Sequence, residues 1–483
     1  MSKFSDKCKE LLAENGYNVY RLSQIASLER TTLQRMITGK RLPGIDFVEA
    51  FCNALRISHL EKKELIELYK MEQMGESTYR NQSTIFRLFH TLSTLEKEST
   101  IHNHIIVDSR NVKLTSPIST NKYETEILLQ YLLNEEIQEE EPLLYTNLPG
   151  TNTLLPHHLK ILVSQYNHKI ITVKHMIQFQ TNIAYAYENL ETLQQIIPLC
   201  CSRDIHYIPF YYYSKISKND QTNLIYPFYI IAKNYVLQLS SDLSNGILLS
   251  DPVILQQYHK EFQICLKHSA PLLQQTNTID EALQFYVTSC DTISDLISLA
   301  ATPCTADLIK PSHLFRLLKE ESPHYLPLIK VFEPFLEVLN NVDRTDFFTY
   351  NGFQNYCKSG VYTGAYSLVI PNIPPADRIQ SLKYYQKHYN PDTSKMLDSH
   401  FNYPDTLYTE FRNHNSLYLI NLADKDNISF IIIQESSICH AFTEFFRLLK
   451  DSEYIVSEKD TVDTFHKNLY YLEQKDTNTI PLI

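Results

Sequence analysis

The chain has no tryptophan and only nine glycines in 483 residues. So few glycines argue against a nucleotide fold built on glycine-rich phosphate loops, and no G-x-x-x-x-G-K stretch occurs. No apolar run reaches the roughly 18 residues that span a bilayer, so no membrane partner is expected. The N-terminal "MSKFSDKCKELLAENG" lacks the apolar core of a signal peptide, which places the expected location in the cytoplasm. Nine cysteines are scattered without a C-x-x-C pair. That supports neither a zinc site nor a disulfide framework, and it fits a reducing compartment. G-x-S-x-G and H-E-x-x-H are missing as well. The expectation is a protein that is not an enzyme, with no catalytic residues, no metal and no cofactor.

Charge is present but unevenly placed. The chain carries a formal net charge of −11. The stretch from Arg21 to Pro43 nevertheless holds five basic residues (Arg21, Arg30, Arg35, Lys40, Arg41) against the single acid Glu29. An acidic protein meets a polyanion only where its positive charge is concentrated.

Residues 4 to 71 read as five short helices. Phe4, Cys8, Leu11 and Leu12 recur at helical spacing, and Gly16 ends the first helix. Asn18 is the expected N-cap of a second helix, Val19 to Ala26, with Leu22 and Ile25 facing inward. A third helix runs from about Glu29 to Thr38 and buries Leu33, Met36 and Ile37, with Gly39 in the C-cap position. Pro43 blocks continuation. A fourth helix follows with Asp46 and Glu49 at capping-box spacing, and Ser58 with Glu61 repeats that signature. Arg30, Thr31, Thr32, Gln34, Arg35 and Thr38 remain on the outer side of the third helix. Arg pairs with guanine edges, Gln with adenine, and Thr offers a methyl or a hydroxyl. Lys40 and Arg41 lie where phosphate contacts are made. Asn18 and Arg21, at the start of the second helix, complete the expected DNA-binding set.

Leu22 to Pro43 resembles the helix-turn-helix of the lambda-repressor-like (Cro/CI, XRE) DNA-binding domains. Leu22, Ser23, Leu28, Thr32-Leu33, Arg35-Met36, Gly39-Lys40 and Pro43 carry the resemblance. "FVEAFCNALRIS" resembles that family's fourth helix and its ending. The resemblance implies double-stranded DNA as partner and two protomers reading two half-sites. One departure is Ser27, where the family usually has glycine; serine adopts a left-handed backbone less readily. The other readings of these residues are a helical bundle with a solvated basic face and a helix-turn-helix used for protein contact.

The expected fold class is mixed: an all-α, five-helix domain over 1–75, then a large α/β region. Residues 76–115 form a linker with an amphipathic helix, whose Ile85, Leu88, Phe89 and Leu92 either pair two protomers or pack on the next domain. Two α/β lobes are expected at 116–300 and 301–483. Strand-like runs such as "PLLYTNLP", "KIITVKHMIQF", "IHYIPFYYY" and "GILLSD" alternate with helical ones such as "ETLQQIIPLCC" and "PVILQQYHKEFQICLKHSAPLLQQ". "NEEIQEEE" reads as a solvated acidic segment. The order strand, strand, small polar residues, helix occurs near 226–262 and again near 416–452. This suggests a duplication and a faint resemblance to a phospholipase D-type fold. The H-x-K pattern that does chemistry in those enzymes is read as absent, which leaves at most an inactive relative.

The 33 tyrosines reflect either codon bias or an aromatic ligand cavity. If the large region senses a small molecule or peptide, Tyr211 and Tyr213 on one face of a strand, with Ser240, Ser241 and Asp242 after another, are the expected contacts. A simple turn is the other reading of 240–246, and Cys200-Cys201 reads as a redox pair or as buried, inert thiols. His102-Asn103-His104 lacks the spacing of a nuclease motif. The function expected from all this is a sequence-specific transcription regulator, homodimeric, with a sensing body. The alternatives are an enzyme with an appended DNA-binding head and an interaction scaffold that autoregulates its operon.

Overall fold

Apolar residues at helical spacing bury one face of each of the first five helices: α1 (Lys3–Glu14), α2 (Val19–Ala26), α3 (Arg30–Ile37), α4 (Ile45–Leu55) and α5 (His59–Met74). The computed structural model describes residues 2–100, 112–166, 169–182, 187–213, 225–276, 278–288, 293–304, 308–310, 312–313, 316–317, 342–364, 367, 372–422 and 428–477. His102-Asn103-His104 lies outside them. Contacts divide the chain into two units, Met1–Thr84 and Ile85–Ile483. The architecture is mixed α/β, with two mixed sheets after the helical N-terminus and fifteen helices among the described residues.

In the first unit, Phe4, Cys8, Leu11, Leu22, Leu33, Met36, Phe51 and Leu65 share one core. Asn18 caps α2 by accepting from the Arg21 amide, and Ser58 with Glu61 forms a complete capping box on α5. Two expectations fail. Gly44, not a side chain at 46, is the N-cap of α4; the helix starts early enough to place Asp46 inside its first turn. Ile25 is 60% exposed, because the inward stripe of α2 runs through Val19, Leu22, Ser23 and Ala26 at steps of three and four.

Of α6 (Glu76–Thr100), the residues Ile85, Leu88, Phe89 and Leu92 belong to the second unit and enter its main core. Of the two expectations for that apolar face, packing within the chain is the one seen. The first sheet combines β1 (Ile118–Ser119), β2 (Leu143–Thr146), β3 (Ile171–Phe179), β4 (Ile205–Tyr213), β5 (Phe228–Ile231), β6 (Val236–Leu239), β7 (Gly246–Leu249) and β8 (Ala270–Pro271). Its order is β1-β7-β6-β5-β2-β3-β4-β8. The helices α7 (Lys122–Glu136), α8 (Leu154–Gln165) and α9 (Tyr187–Cys200) follow β1, β2 and β3, and α10 (Pro252–Leu266) follows β7.

The second sheet comprises β9 (Leu273–Thr276), β10 (Asp295–Ala300), β11 (Asp343–Thr349), β12 (Ser394–Leu397), β13 (Leu407–Arg412), β14 (Ser416–Asn421) and β15 (Ser429–Ile433), in the order β12-β11-β10-β13-β14-β15-β9. Its helices include α11 (Ile279–Thr288) after β9, α12 (Tyr350–Ser359) and α13 (Pro375–His388) before β12, α14 (Ser436–Lys450) after β15, and α15 (Glu458–Thr477). Counting strands from each lobe's own start, both sheets have the order 1-7-6-5-2-3-4. Strands 2, 3 and 4 are parallel, and 5, 6, 7 and 1 follow as antiparallel neighbours. The pairing after the helix that follows strand 7 also repeats: β8 lies against β4, and Ile455, between α14 and α15, forms an isolated bridge to Leu397 of β12.

β9 and β10, which fall in the stretch expected in the first lobe, are strands of the second sheet. The helix expected to continue to Gln275 ends at Leu266, and the chain turns into β8 and β9. The acidic run is not simply solvated either. Glu136 is buried and accepts from the amides of Leu143 and Lys233, both at 2.8 Å.

One core joins a face of each sheet, Val173, Ile177 and Leu237 with Phe347, Phe411 and Ile431, together with α9 and α14. The other face of the second sheet carries a buried polar row. Tyr418, Glu410, Ser298, Asp346 and Ser394 are consecutive cross-strand partners. Arg412 pairs with Glu410 and lies 4.2 Å from the Tyr418 ring centre, and the Ser298 hydroxyl donates to Asp346 at 2.6 Å. In the first sheet His175 is fully enclosed. Its Nε2–H donates to the Leu148 carbonyl at 2.7 Å, and its Nδ1 accepts from the Tyr207 hydroxyl.

Burial holds the His175 imidazole down to about 4. The unfolded chain therefore binds this proton first. Its contribution to stability is complete above about pH 6.5 and is lost as pH falls toward 4. Between pH 7 and 4.5 this amounts to about 2–3 kcal/mol. Urea unfolding should show a smaller acid-side loss for His175→Gln than for the natural chain; equal losses would exclude His175 as the source.

Candidate nucleic-acid interface

The basic stretch folds so that α2 and α3 meet across a tight turn. Leu22 and Ser23 of α2 and Leu33, Met36 and Ile37 of α3 face the core. This leaves Arg30, Thr31, Gln34 and Arg35 exposed on the outer side of α3, with Lys40 and Arg41 exposed just beyond its end and Asn18 and Arg21 exposed at the start of α2. Two of the expected contacts have their hydroxyls engaged locally. Thr32 donates to Glu29 at 2.5 Å, and Thr38 donates to the Gln34 carbonyl at 2.7 Å.

The charge on this surface is uncompensated. Residues 1–84 hold 13 basic and 11 acidic side chains; 18–43 hold five and one, leaving eight and ten elsewhere. Lys3, Lys7, Lys9, Lys62 and Arg80 form ion pairs. Among the described residues, Arg21, Arg30, Arg35, Lys40 and Arg41 form none. Two of these cations rest on aromatic rings that the sequence reading did not single out. The Arg21 guanidinium carbon is 5.6 Å from the Tyr17 ring centre, and that of Arg30 is 5.4 Å from the Tyr20 ring centre. The i,i+4 spacing of Tyr17 and Arg21 was a readable signal; the Tyr20–Arg30 pair needs the turn.

Ser27 closes α2 at φ 54°, ψ 29°, in the left-handed region. The turn keeps its shape although the residue is not glycine.

The candidate effector residues come out differently. Tyr211 and Tyr213 share a face of β4, with ring centres 5.5 Å apart, and Tyr212 packs on the other side. The Tyr213 hydroxyl donates to the buried carboxylate of Glu435, the N-cap of α14, which also accepts from the amides of Ser437 and Ile438. Tyr213 thus braces one sheet against the other's helix. Ser240 and Asp242 close the turn between β6 and β7. The Ser240 hydroxyl donates to Asp242 at 2.6 Å, and Asp242 accepts from the Ser244 amide at 3.1 Å. Three hydroxyl and amide donors hold the Asp242 carboxyl down to about 2. Ser241 lies exposed in the same turn. β6 and β4 are four strand positions apart, roughly 19 Å at ordinary strand spacing. The structure does not bring these two groups together. Open grooves of about 320 and 330 Å³ lie elsewhere, one lined by Phe86, His90, Phe401 and Tyr454, the other by Thr91, His157, Lys160 and Gln194.

One H-x-K triplet does occur, His158-Leu159-Lys160. It lies on α8, where His158 is buried with Nδ1 3.4 Å from Gln130 and Lys160 is exposed, so it presents no shared catalytic face. Burial raises the Cys201 thiol to about 11 and Cys200 well above the ordinary thiol range, which argues against a reactive thiolate pair. Among the described residues no helix is long and apolar enough to cross a membrane. The chain matches no family model, no curated protein and no solved structure.

Replacing Ser27 by glycine should relieve the left-handed strain and stabilise the first unit by roughly 0.5–1 kcal/mol. Hydrogen exchange of the α2 and α3 amides in the full chain reads this; faster exchange in Ser27→Gly would contradict it.

Proposed function

We propose that the protein is a sequence-specific, double-stranded DNA-binding transcription regulator. Its N-terminal helices act as a helix-turn-helix of the lambda-repressor-like kind. The observation that carries this reading is the exposed, unpaired cluster of Arg21, Arg30, Arg35, Lys40 and Arg41 around α3, on a chain whose remaining charge is acidic. A surface with five cations against the single acid Glu29 suits a phosphate backbone, and the face of α3 offers the residue types that read base edges.

The second unit is the regulatory body in this reading. Its repeated strand order agrees with the duplication that the phospholipase D resemblance implies. The body's work in this reading is binding. We propose a homodimer reading two half-sites. Because the apolar side of α6 is used inside the chain, the protomer contact lies elsewhere in the body.

Two measurements test this. Duplexes selected from a random pool by the full chain define the site, and competition binding to base-substituted versions then sorts the contacts. Arg35→Ala should cost roughly 1–3 kcal/mol and relax preference at one base pair. Lys40→Ala should weaken all duplexes alike and lower the salt slope by about 0.9. Identical losses for both variants on every duplex would sink the assignment. Light scattering should give twice the chain mass for the full-length protein, and a monomer at binding concentrations would remove the dimer.

A further inference from the structure

We infer that Tyr20 is a positioning residue for recognition: its ring holds the Arg30 guanidinium flat so that its edge meets a base. This rests on the DNA-binding reading above. Tyr20 is 59% exposed and takes no part in the core of the first unit. An exposed tyrosine ring placed 5.4 Å from a guanidinium is doing something other than packing. Arg30 is also the first residue of α3, where the helix dipole disfavours a cation. Its nearest acid, Glu29, is hydrogen-bonded to Thr32 instead. Helix stability therefore does not account for an arginine here, whereas a negatively polarised ring face beneath it does favour the charge.

The geometry has a specific consequence. A guanidinium laid face to face on the ring would keep its in-plane N–H fork open. Two parallel donors are what guanine O6 and N7 accept. A long side chain that would otherwise lose rotamer freedom on binding is thus ordered beforehand by a residue on the neighbouring helix.

The test uses the full chain and a duplex selected by it. Tyr20→Ala should weaken binding two- to fivefold and flatten preference at the same base pair that Arg30→Ala flattens. Tyr20→Phe should retain both affinity and preference, and the Tyr20→Ala, Arg30→Ala double variant should bind no more weakly than Arg30→Ala. Uniform weakening of Tyr20→Ala on every duplex, or multiplying losses in the double variant, would overturn the role. If the natural chain selects no sequence, the DNA reading falls and the recognition role falls with it. The ring contact is read separately by NMR: the Arg30 Hδ signals should move downfield in Tyr20→Ala, and unchanged signals overturn the contact itself.

Discussion

The second unit depends on one seven-residue stretch, Ala270 to Thr276, that serves two sheets in succession. On one side β8 pairs with β4, and the Leu272 amide donates to the Pro209 carbonyl at 2.9 Å. Pro209 and Pro271 carry no amide hydrogens, so the ladder there cannot extend. Gln275 then reaches back with its side chain to the Tyr207 carbonyl at 3.1 Å, while its backbone has already turned to β15. A strand that changes partner in mid-course fixes where each sheet ends. It also fixes which faces meet, and Tyr213 with Glu435 and Asn189 with Ser437 (2.9 Å) brace the junction from both sides.

The two sheets share a topology and one apolar core but bury different polar groups. At the centre of the first, Thr146 and His175 face one another among apolar neighbours, and the ring is held neutral. The second buries carboxylates and a guanidinium in one cross-strand row. Such ions gain little net stability, because desolvation offsets most of their attraction. They do penalise error. A one-residue slip of β13 would carry Glu410 and Arg412 to the opposite, hydrocarbon face, where no partner awaits. The row thus specifies register in a sheet whose apolar residues, on both faces, specify it weakly.

The first unit was legible because its signals are local. Caps, glycine stops and apolar spacing placed the five helices closely, although the fifth runs three residues beyond the expected end at 71, and charge segregation marked the surface of α3. Ile25 misled because an eight-residue helix offers too few turns to define its inner stripe. The second unit was legible in pieces. β2 to β7 follow short β-branched or aromatic runs, and the repeated strand-helix order was visible near 226–262 and 416–452. The boundary between lobes was not, since β9 pairs with β15 far along the chain and its "LQQT" is neither apolar nor alternating. The candidate effector residues failed for the same reason: Tyr213 and Ser240 were each placed on the correct element, but strand order sets them far apart.

The shared order 1-7-6-5-2-3-4 also dictates when each lobe can close during synthesis. The first strand of each lobe waits for the last one made: β1 for β7, and β9, ending at Thr276, for β15, beginning at Ser429. Until then β9 leaves the ribosome with both edges unpaired, an invitation to intermolecular pairing. Its glutamines and its brevity blunt that hazard. A nascent chain halted between the two lobes would carry a finished first sheet and a single polar strand, a tolerable intermediate. One halted within β14 would expose a nearly complete, apolar sheet with its closing strands unpaired, the stage at which chaperone dependence should be greatest.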